Sequence, residues 1–297
     1  MGRENKLNLF GPAGLEGMAL SLLDAFKDDI DYRMNGSQPS NRTGYKFNFT
    51  ELDNGIVFKD DNLTVEAFKV NHGEFEDAYG FRFTSKDKVI VFSGDTGPSK
   101  SLEDYAKDAD ILVLGNLHPI VQSSVLDQMN SSSTFVILDT MNFWMDNTLD
   151  QLMEVIKRVE VITINDEEAR QLTGEHSLVS AAKKIHDMGP DYVVIKKGEH
   201  GALLFNNENM FSAPALPLES VFDPTGAGDT FAGGFAGFLS KSQKINFESM
   251  KKAVVYGSAL ASFCVEKFGT ERLKSLKSDE IGRRLTAFKK LTQFEIE

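Results

Sequence analysis

The sequence predicts an α/β protein whose second half is organised around a parallel sheet, and three observations carry that expectation. From residue 134 onward, short β-branched runs alternate with helical stretches. Those runs are apolar on consecutive residues, as strands buried on both faces are. Last, a small-residue run, Asp223-Pro-Thr-Gly-Ala-Gly-Asp-Thr-Phe-Ala-Gly-Gly-Phe235, opens a helical C-terminal cover.

In order along that half, Thr134–Asp139 (TFVILD), Val159–Ile164 (VEVITI) and Tyr192–Lys196 (YVVIK) read as strands. Between them, 149–159 and 167–188 have helical periodicity; Asp166 can cap the second, and Gly189-Pro190 ends it. Three apolar, helix-like stretches follow Gly226, up to Phe294. Residues 7–113 have a different character. A short strand at 7–10 and an amphipathic helix at 14–26 precede alternating, hairpin-like strands at 45–51, 55–59, 63–70, 80–84 and 89–92. The Ser/Asn/Gly-rich stretch 35–43 reads as a surface loop. The boundary falls in Ala109–Asn116 (ADILVLGN), giving expected segments 1–113 and 114–297. Ile111–Leu114 is expected to continue the second half's sheet, with Val89–Phe92 beside it.

Composition narrows the function classes. Of 297 residues, 41% are hydrophobic and 26% charged, as in globular proteins with ample core. The net charge of −12 is spread over both halves, with 13 basic and 20 acidic residues in 1–113 and 19 and 24 in the rest. No basic patch appears, so nucleic acid is not an expected ligand. Cys264 is the only cysteine, which excludes a disulfide framework and fits a reducing cytoplasm. The first residues carry no apolar signal core, and the least charged long segment, 221–240, holds two aspartates and five glycines. No membrane span is expected.

The run at 223–235 carries the chemistry. Gly226, Ala227 and Gly228 can present backbone N–H groups to an anion at a helix start. Asp229 follows at the positive end of the helix dipole, where a carboxylate stays ionised and can accept a proton. An anion cradle beside a base suits phosphoryl transfer to an alcohol. A glycine-rich helix start capped by Asp223 is the plainer reading of the same residues. Asn165 and Glu168 follow a strand's C-terminal end, where open α/β sheets place ligands. By themselves they also read as a helix cap with a charged first turn. Lys196, at another strand end, is either a phosphate partner or a solvated lysine.

The Asp223–Phe235 run resembles the second signature of the PfkB-type carbohydrate kinases, the ribokinase superfamily. Asn165-Asp-Glu-Glu168 matches that family's Asn-x-x-Glu, and Lys196-Lys-Gly198-Glu-His-Gly201 its Thr/Lys-x-Gly-x-x-Gly strand end. The match covers roughly 114–297 and implies the C-terminal half of a ribokinase-like fold. The resemblance implies Asp229 as catalytic base, with Gly226, Ala227 and Gly228 holding the charge that develops on the phosphoryl group. Asn165 and Glu168 would order Mg²⁺ and its waters. Lys196 would neutralise phosphate, and Gly198 and Gly201 would give the nucleotide room. Asp223 and Thr225 resemble positions that bind a monovalent cation. ATP and Mg²⁺ are the implied cofactors. The family's Gly-Gly…Asn sugar-binding motif and its β lid have no counterpart in the first half.

Residues 7–113 instead resemble the middle of a metallo-β-lactamase-fold hydrolase, nearest in style to ribonuclease Z. The matching pieces are Leu7-Asn-Leu-Phe-Gly-Pro12, Val70-Asn-His72 before Tyr79-Gly-Phe-Arg82, and Phe92-Ser-Gly-Asp-Thr96 before 109–113. In that family His72 and Asp95 would be metal ligands. Catalytic zinc needs at least three protein ligands, so both positions are expected to be vestigial and zinc is not an expected cofactor. The leading expectation is ATP-dependent phosphotransfer to a hydroxyl of a small sugar or nucleoside. The alternatives are a nucleotide-binding chimera with weak catalysis and, behind it, a zinc hydrolase. Each half has lost strands it would pack against, so either the halves cover each other or the chain is poorly soluble or self-associates, as a homo-oligomer would.

Overall fold

The computed structural model describes residues 6–36, 42–94, 96–129 and 134–293. The first half runs β1 (Leu7–Gly11), α1 (Leu15–Ala25), α2 (Lys27–Asn35), β2 (Phe47–Glu51), β3 (Gly55–Lys59), β4 (Leu63–Lys69), β5 (Tyr79–Ser85), β6 (Val89–Phe92) and α3 (Lys100–Ala106). Next come β7 (Ile111–Leu114), α4 (Pro119–Gln128), β8 (Phe135–Asp139), α5 (Asn142–Asn147), α6 (Leu149–Ile156), β9 (Val161–Asn165), α7 (Asp166–Thr173) and α8 (Leu178–Met188). The chain continues with β10 (Tyr192–Lys196), β11 (Ala202–Phe205), β12 (Met210–Ala213), α9 (Ala227–Ser240), α10 (Phe247–Cys264), α11 (Glu271–Lys274) and α12 (Ser278–Thr292).

Ten strands form one sheet in the order β12-β11-β10-β9-β8-β7-β6-β5-β4-β3, while β1 and β2 pair parallel in a sheet of their own. The centre, β6 to β10, is parallel throughout. Both flanks are antiparallel. The two halves therefore meet inside a single sheet. β6 pairs with β7 through Ile90 and Ile111, Val91 and Leu112, and Phe92 and Val113, as the sequence led us to expect. The connection is parallel because α3 lies between the strands and returns the chain to the same end.

The central strands are apolar on consecutive residues because helices cover both faces. One face packs Val91, Leu112, Leu138, Ile162 and Ile195 against α3, α4, α6 and α8. The other packs Val113, Ile137, Val161 and Val194 against Phe235 of α9 and Met250 and Val254 of α10. On the first-half flank Phe68 of β4 is fully buried and stacks on Tyr105 of α3, with centroids 4.3 Å apart and planes 8° from parallel.

Several elements differ from expectation. The stretch 167–188 is two helices, because Gly174 takes a left-handed conformation (φ 72°) that closes α7. Its N-cap is Asn165, not Asp166. The run at 45–51 starts at Phe47 and pairs with β1 instead of forming a hairpin with β3. Residues 37–41 of the expected loop lie outside the described residues, and Asn35 still belongs to α2.

Candidate functional site

Because β6 to β10 run parallel, their C-terminal ends share one edge of the sheet. β8 ends there in Asp139, β9 in Asn165 and β10 in Lys196. Register sets them side by side: Asp139 pairs with Thr163, and Asn165 with Lys196.

Asn165 and Glu168 form a capping box. The Asn165 side-chain oxygen accepts the Glu168 N–H at 2.8 Å, and Glu168 Oε2 accepts the Asn165 N–H at 3.0 Å. Glu168 is half-buried, and loss of water raises its pKa from the ordinary value. The N–H groups of Asn165 and Asn142 and the charge of Lys196 pull the other way, while Asp139 adds to the rise. The plain capping role and a ligand role use the same two side chains.

Lys196 Nζ donates to Asp139 Oδ1 at 3.0 Å, and the Thr163 hydroxyl donates to that oxygen at 3.1 Å. A Cβ built on Gly228 would lie 4.0 Å from Lys196 Nζ. The first turn of α9 and the end of β10 therefore meet. This is the contact that ties the small-residue run to the strand-end residues.

Gly226 is the N-cap of α9, in a left-handed conformation at φ 79° that a glycine supplies without strain. Gly228 and Asp229 are the second and third residues of the helix, positions whose N–H groups no intrahelical carbonyl reaches. The Ala227 N–H donates to Pro224 O at 3.1 Å, so the cradle narrows to Gly228 and Asp229 in this state. Asp229 is exposed in the first turn. Asp223 accepts the Thr225 N–H at 3.0 Å, and this bond, with the Thr225 hydroxyl and the Gly269 N–H, lowers its pKa. The Cys264 thiol lies 3.7 Å from Thr225 O and ties the loop to α10.

Gly198 (φ 53°) opens a single 3-10 turn after β10, with no atom within 4 Å of where a Cβ would stand. Gly201 (φ 87°) closes that turn, and a Cβ there would come within 2.1 Å of Ala213 O. The two glycines thus serve different needs: open space at one, a strand crossing at the other.

On the first-half side, β4 and β6 end at the same edge, since β5 runs antiparallel to both. His72 is exposed after β4 and bridges to Phe75, their rings 6.0 Å apart. The Thr96 hydroxyl donates to Asn71 O at 3.0 Å, which holds the loops after β4 and β6 together. Asp95 lies outside the described residues. Among the described residues no group of three or more His, Cys, Asp or Glu could hold a metal ion. For Mg²⁺, the Asn165 amide and Glu168 carboxylate offer hard oxygen donors suited to a cation that keeps most of its waters.

The residue that sequence reading passed over is Asp139. Its signal was present: a carboxylate ending an otherwise apolar strand, TFVILD, at the ligand edge of a parallel sheet.

The profile of the pfkB family carbohydrate kinases matches residues 64–276. The chain belongs to that family. The pfkB match begins within β4, so it includes strands that the sequence reading had assigned to the other segment. The chain is 33% identical over 146 residues to the cytidine kinase of Thermococcus kodakarensis, covering 48% of this chain and 52% of that protein. It is 28% identical over 123 residues to a putative ribonuclease Z of Mycobacterium tuberculosis, covering 41% of this chain and 53% of that one. The structure of Arabidopsis thaliana ribokinase complexed with ribose and ATP superposes with a TM-score of 0.54 at 20% identity, covering 94% of this chain and 82% of that one. The fold is accordingly ribokinase-like α/β with a mixed sheet. The chain spans about half the length of two of its curated relatives, a cytidine kinase and a ribokinase. Among the described residues no helix is long and apolar enough to cross a membrane.

Proposed function

We propose that the C-terminal edge of the sheet binds ATP with Mg²⁺ and transfers the terminal phosphoryl group to a hydroxyl of a small sugar or nucleoside. The observation that carries this reading is the approach of Lys196 Nζ to the Gly228 position, which joins a cation to an anion-binding helix start. Asp229 accepts the proton of the attacking hydroxyl. Gly226, Ala227 and Gly228 shape the cradle for charge developing on the transferring group. Lys196 offsets phosphate charge, and Gly198 and Gly201 keep the nucleotide's approach open. Asn165 and Glu168 would hold Mg²⁺, which would neutralise charge on the phosphates. Asp223 and Thr225, already folded around one another, are the candidate loop for a monovalent cation.

The test is Asp229→Asn in the full chain. It should abolish phosphotransfer in a screen of sugars and nucleosides while leaving ATP binding intact. Full turnover in that variant would sink the assignment.

A second reading has a specific observation behind it. The likeness to ribonuclease Z favours 1–113 as a metallo-β-lactamase-fold remnant joined near 109–116 to a kinase half at 114–297. In that case the segment which orients and encloses the acceptor is replaced, and the chain binds nucleotide with weak transfer. ATP binding without turnover on any acceptor would select it. His72 and Asp95 then mark former zinc positions, and stoichiometric zinc lost on His72→Ala would revive hydrolysis as a reading.

A further inference from the structure

Asp139 is not part of any motif that identifies the kinase edge, yet it is the partner that Lys196 has chosen. Its Oδ1 receives two donors, the Lys196 ammonium at 3.0 Å and the Thr163 hydroxyl at 3.1 Å. The carboxylate reaches from β8 across β9 to a lysine on β10, and Thr163 on the intervening strand fixes it midway. The two side chains are only 22% and 20% exposed, so neither is a solvated surface group.

A lysine side chain has four rotatable bonds, and its ammonium occupies one place only if something holds it. Here Asp139 is the carboxylate that bonds it. Glu168 stands close enough to feel both Lys196 and Asp139 electrostatically, and it sits beside Asn165. A lysine released from Asp139 regains its rotamers and has no fixed place. Held by Asp139, its Nζ stays 4.0 Å from the Gly228 position, and an ammonium with three donors keeps two for phosphate oxygens.

We propose that Asp139 is a positioning residue for the nucleotide phosphates: it holds the Lys196 ammonium at the Gly228 end of the site, and Thr163 holds Asp139. This rests on the reading of the edge as a nucleotide site, so the test must separate the two.

The measurement is the affinity of the full chain for ATP and for AMP, by calorimetry at fixed Mg²⁺ and salt. Their ratio isolates what the outer phosphates contribute. Lys196→Ala should collapse the preference for ATP by about tenfold, the scale of one charge-assisted hydrogen bond, with AMP affinity little changed. Asp139→Ala should reproduce most of that collapse. Thr163→Val, nearly isosteric, should lower the ratio by a smaller factor, and it carries the test if Asp139→Ala does not fold. A purely structural role would weaken ATP and AMP together and leave the ratio where it was. If Lys196→Ala collapses the ratio while Asp139→Ala and Thr163→Val leave it unchanged, the positioning role is overturned and the nucleotide site stands. If the unaltered chain binds neither nucleotide, or Lys196→Ala leaves the ratio unchanged, the nucleotide reading itself falls.

Discussion

Glu168 carries a cost that its position makes visible. Burial raises its pKa, so the folded chain keeps the carboxyl proton to higher pH than the unfolded chain does. Its contribution to stability is therefore complete below the ordinary glutamate value and is lost as pH rises through the raised value. Glu168→Gln keeps an acceptor for the Asn165 N–H and has no charge to desolvate. In thermal melts this variant should gain on the unaltered chain as pH rises from about 4 to about 8, and the gap should narrow on acidification. A constant gap across that range would show that the charge is not what costs. On the proposed reading the same variant should also lose Mg²⁺-dependent nucleotide binding, measured by titrating ATP with and without the ion. Gly201 shows the opposite situation, a position fixed by sterics alone. With φ at 87° and Ala213 O at 2.1 Å from any Cβ, Gly201→Ala should cost roughly 2–4 kcal/mol in urea unfolding. At this scale the sequence showed where residues stand, with Asp229 in the first turn of a helix and Lys196 at a strand end. It was not readable for Asp139, because a carboxylate at a strand end gains meaning only when a neighbouring strand brings a lysine to it.

The pairing of α9 with α10 shows what the small-residue run does beyond its first turn. Gly234 faces Gly257, and a Cβ on Gly234 would stand 3.0 Å from the Gly257 Cα. A Cβ on Gly257 would meet the Phe231 carbonyl at 2.8 Å and its ring at 2.9 Å. The two helices touch backbone to backbone there, so Gly257→Ala should separate them at a cost of about 1–3 kcal/mol, read as a fall in the urea midpoint. Since α9 also carries Gly228 and Asp229, the same variant should weaken ATP binding without touching any phosphate ligand. Elements with strong periodicity, α9, α10 and the buried strands, were legible. The helix α2 was not: its residues KDDIDYRMN bury nothing and give no apolar stripe to detect. β11 and β12 were missed because four-residue strands, ALLF and MFSA, are too short for alternation to stand out.

The sheet as a whole joins two stretches of sequence that read as belonging to different proteins. Val91 of β6 and Leu112 of β7 are register partners, both fully buried, and both belong to the core that also holds Leu138 and Ile162. Val91→Ala should therefore cost about 2 kcal/mol and lower hydrogen-exchange protection in β8 and β9 as well as in β4 and β5. Loss confined to β4 and β5 would mean that the halves fold as separate units. The local strands were legible in the sequence, and so was the neighbourhood of 89–92 and 111–114. The long-range order was not, since nothing local marks β1 and β2 as a pair set apart from the other ten strands.

Those ten strands have a geometric consequence. Neighbouring strands rotate by about 20–25°, so nine steps from β12 to β3 amount to roughly half a turn. The face that α9 and α10 cover at the β12 end has swung to the opposite side by β3. A straight helix pair cannot follow such a propeller. Phe58, 50% exposed on that face beside a register shift in the last strand, marks where the cover runs out.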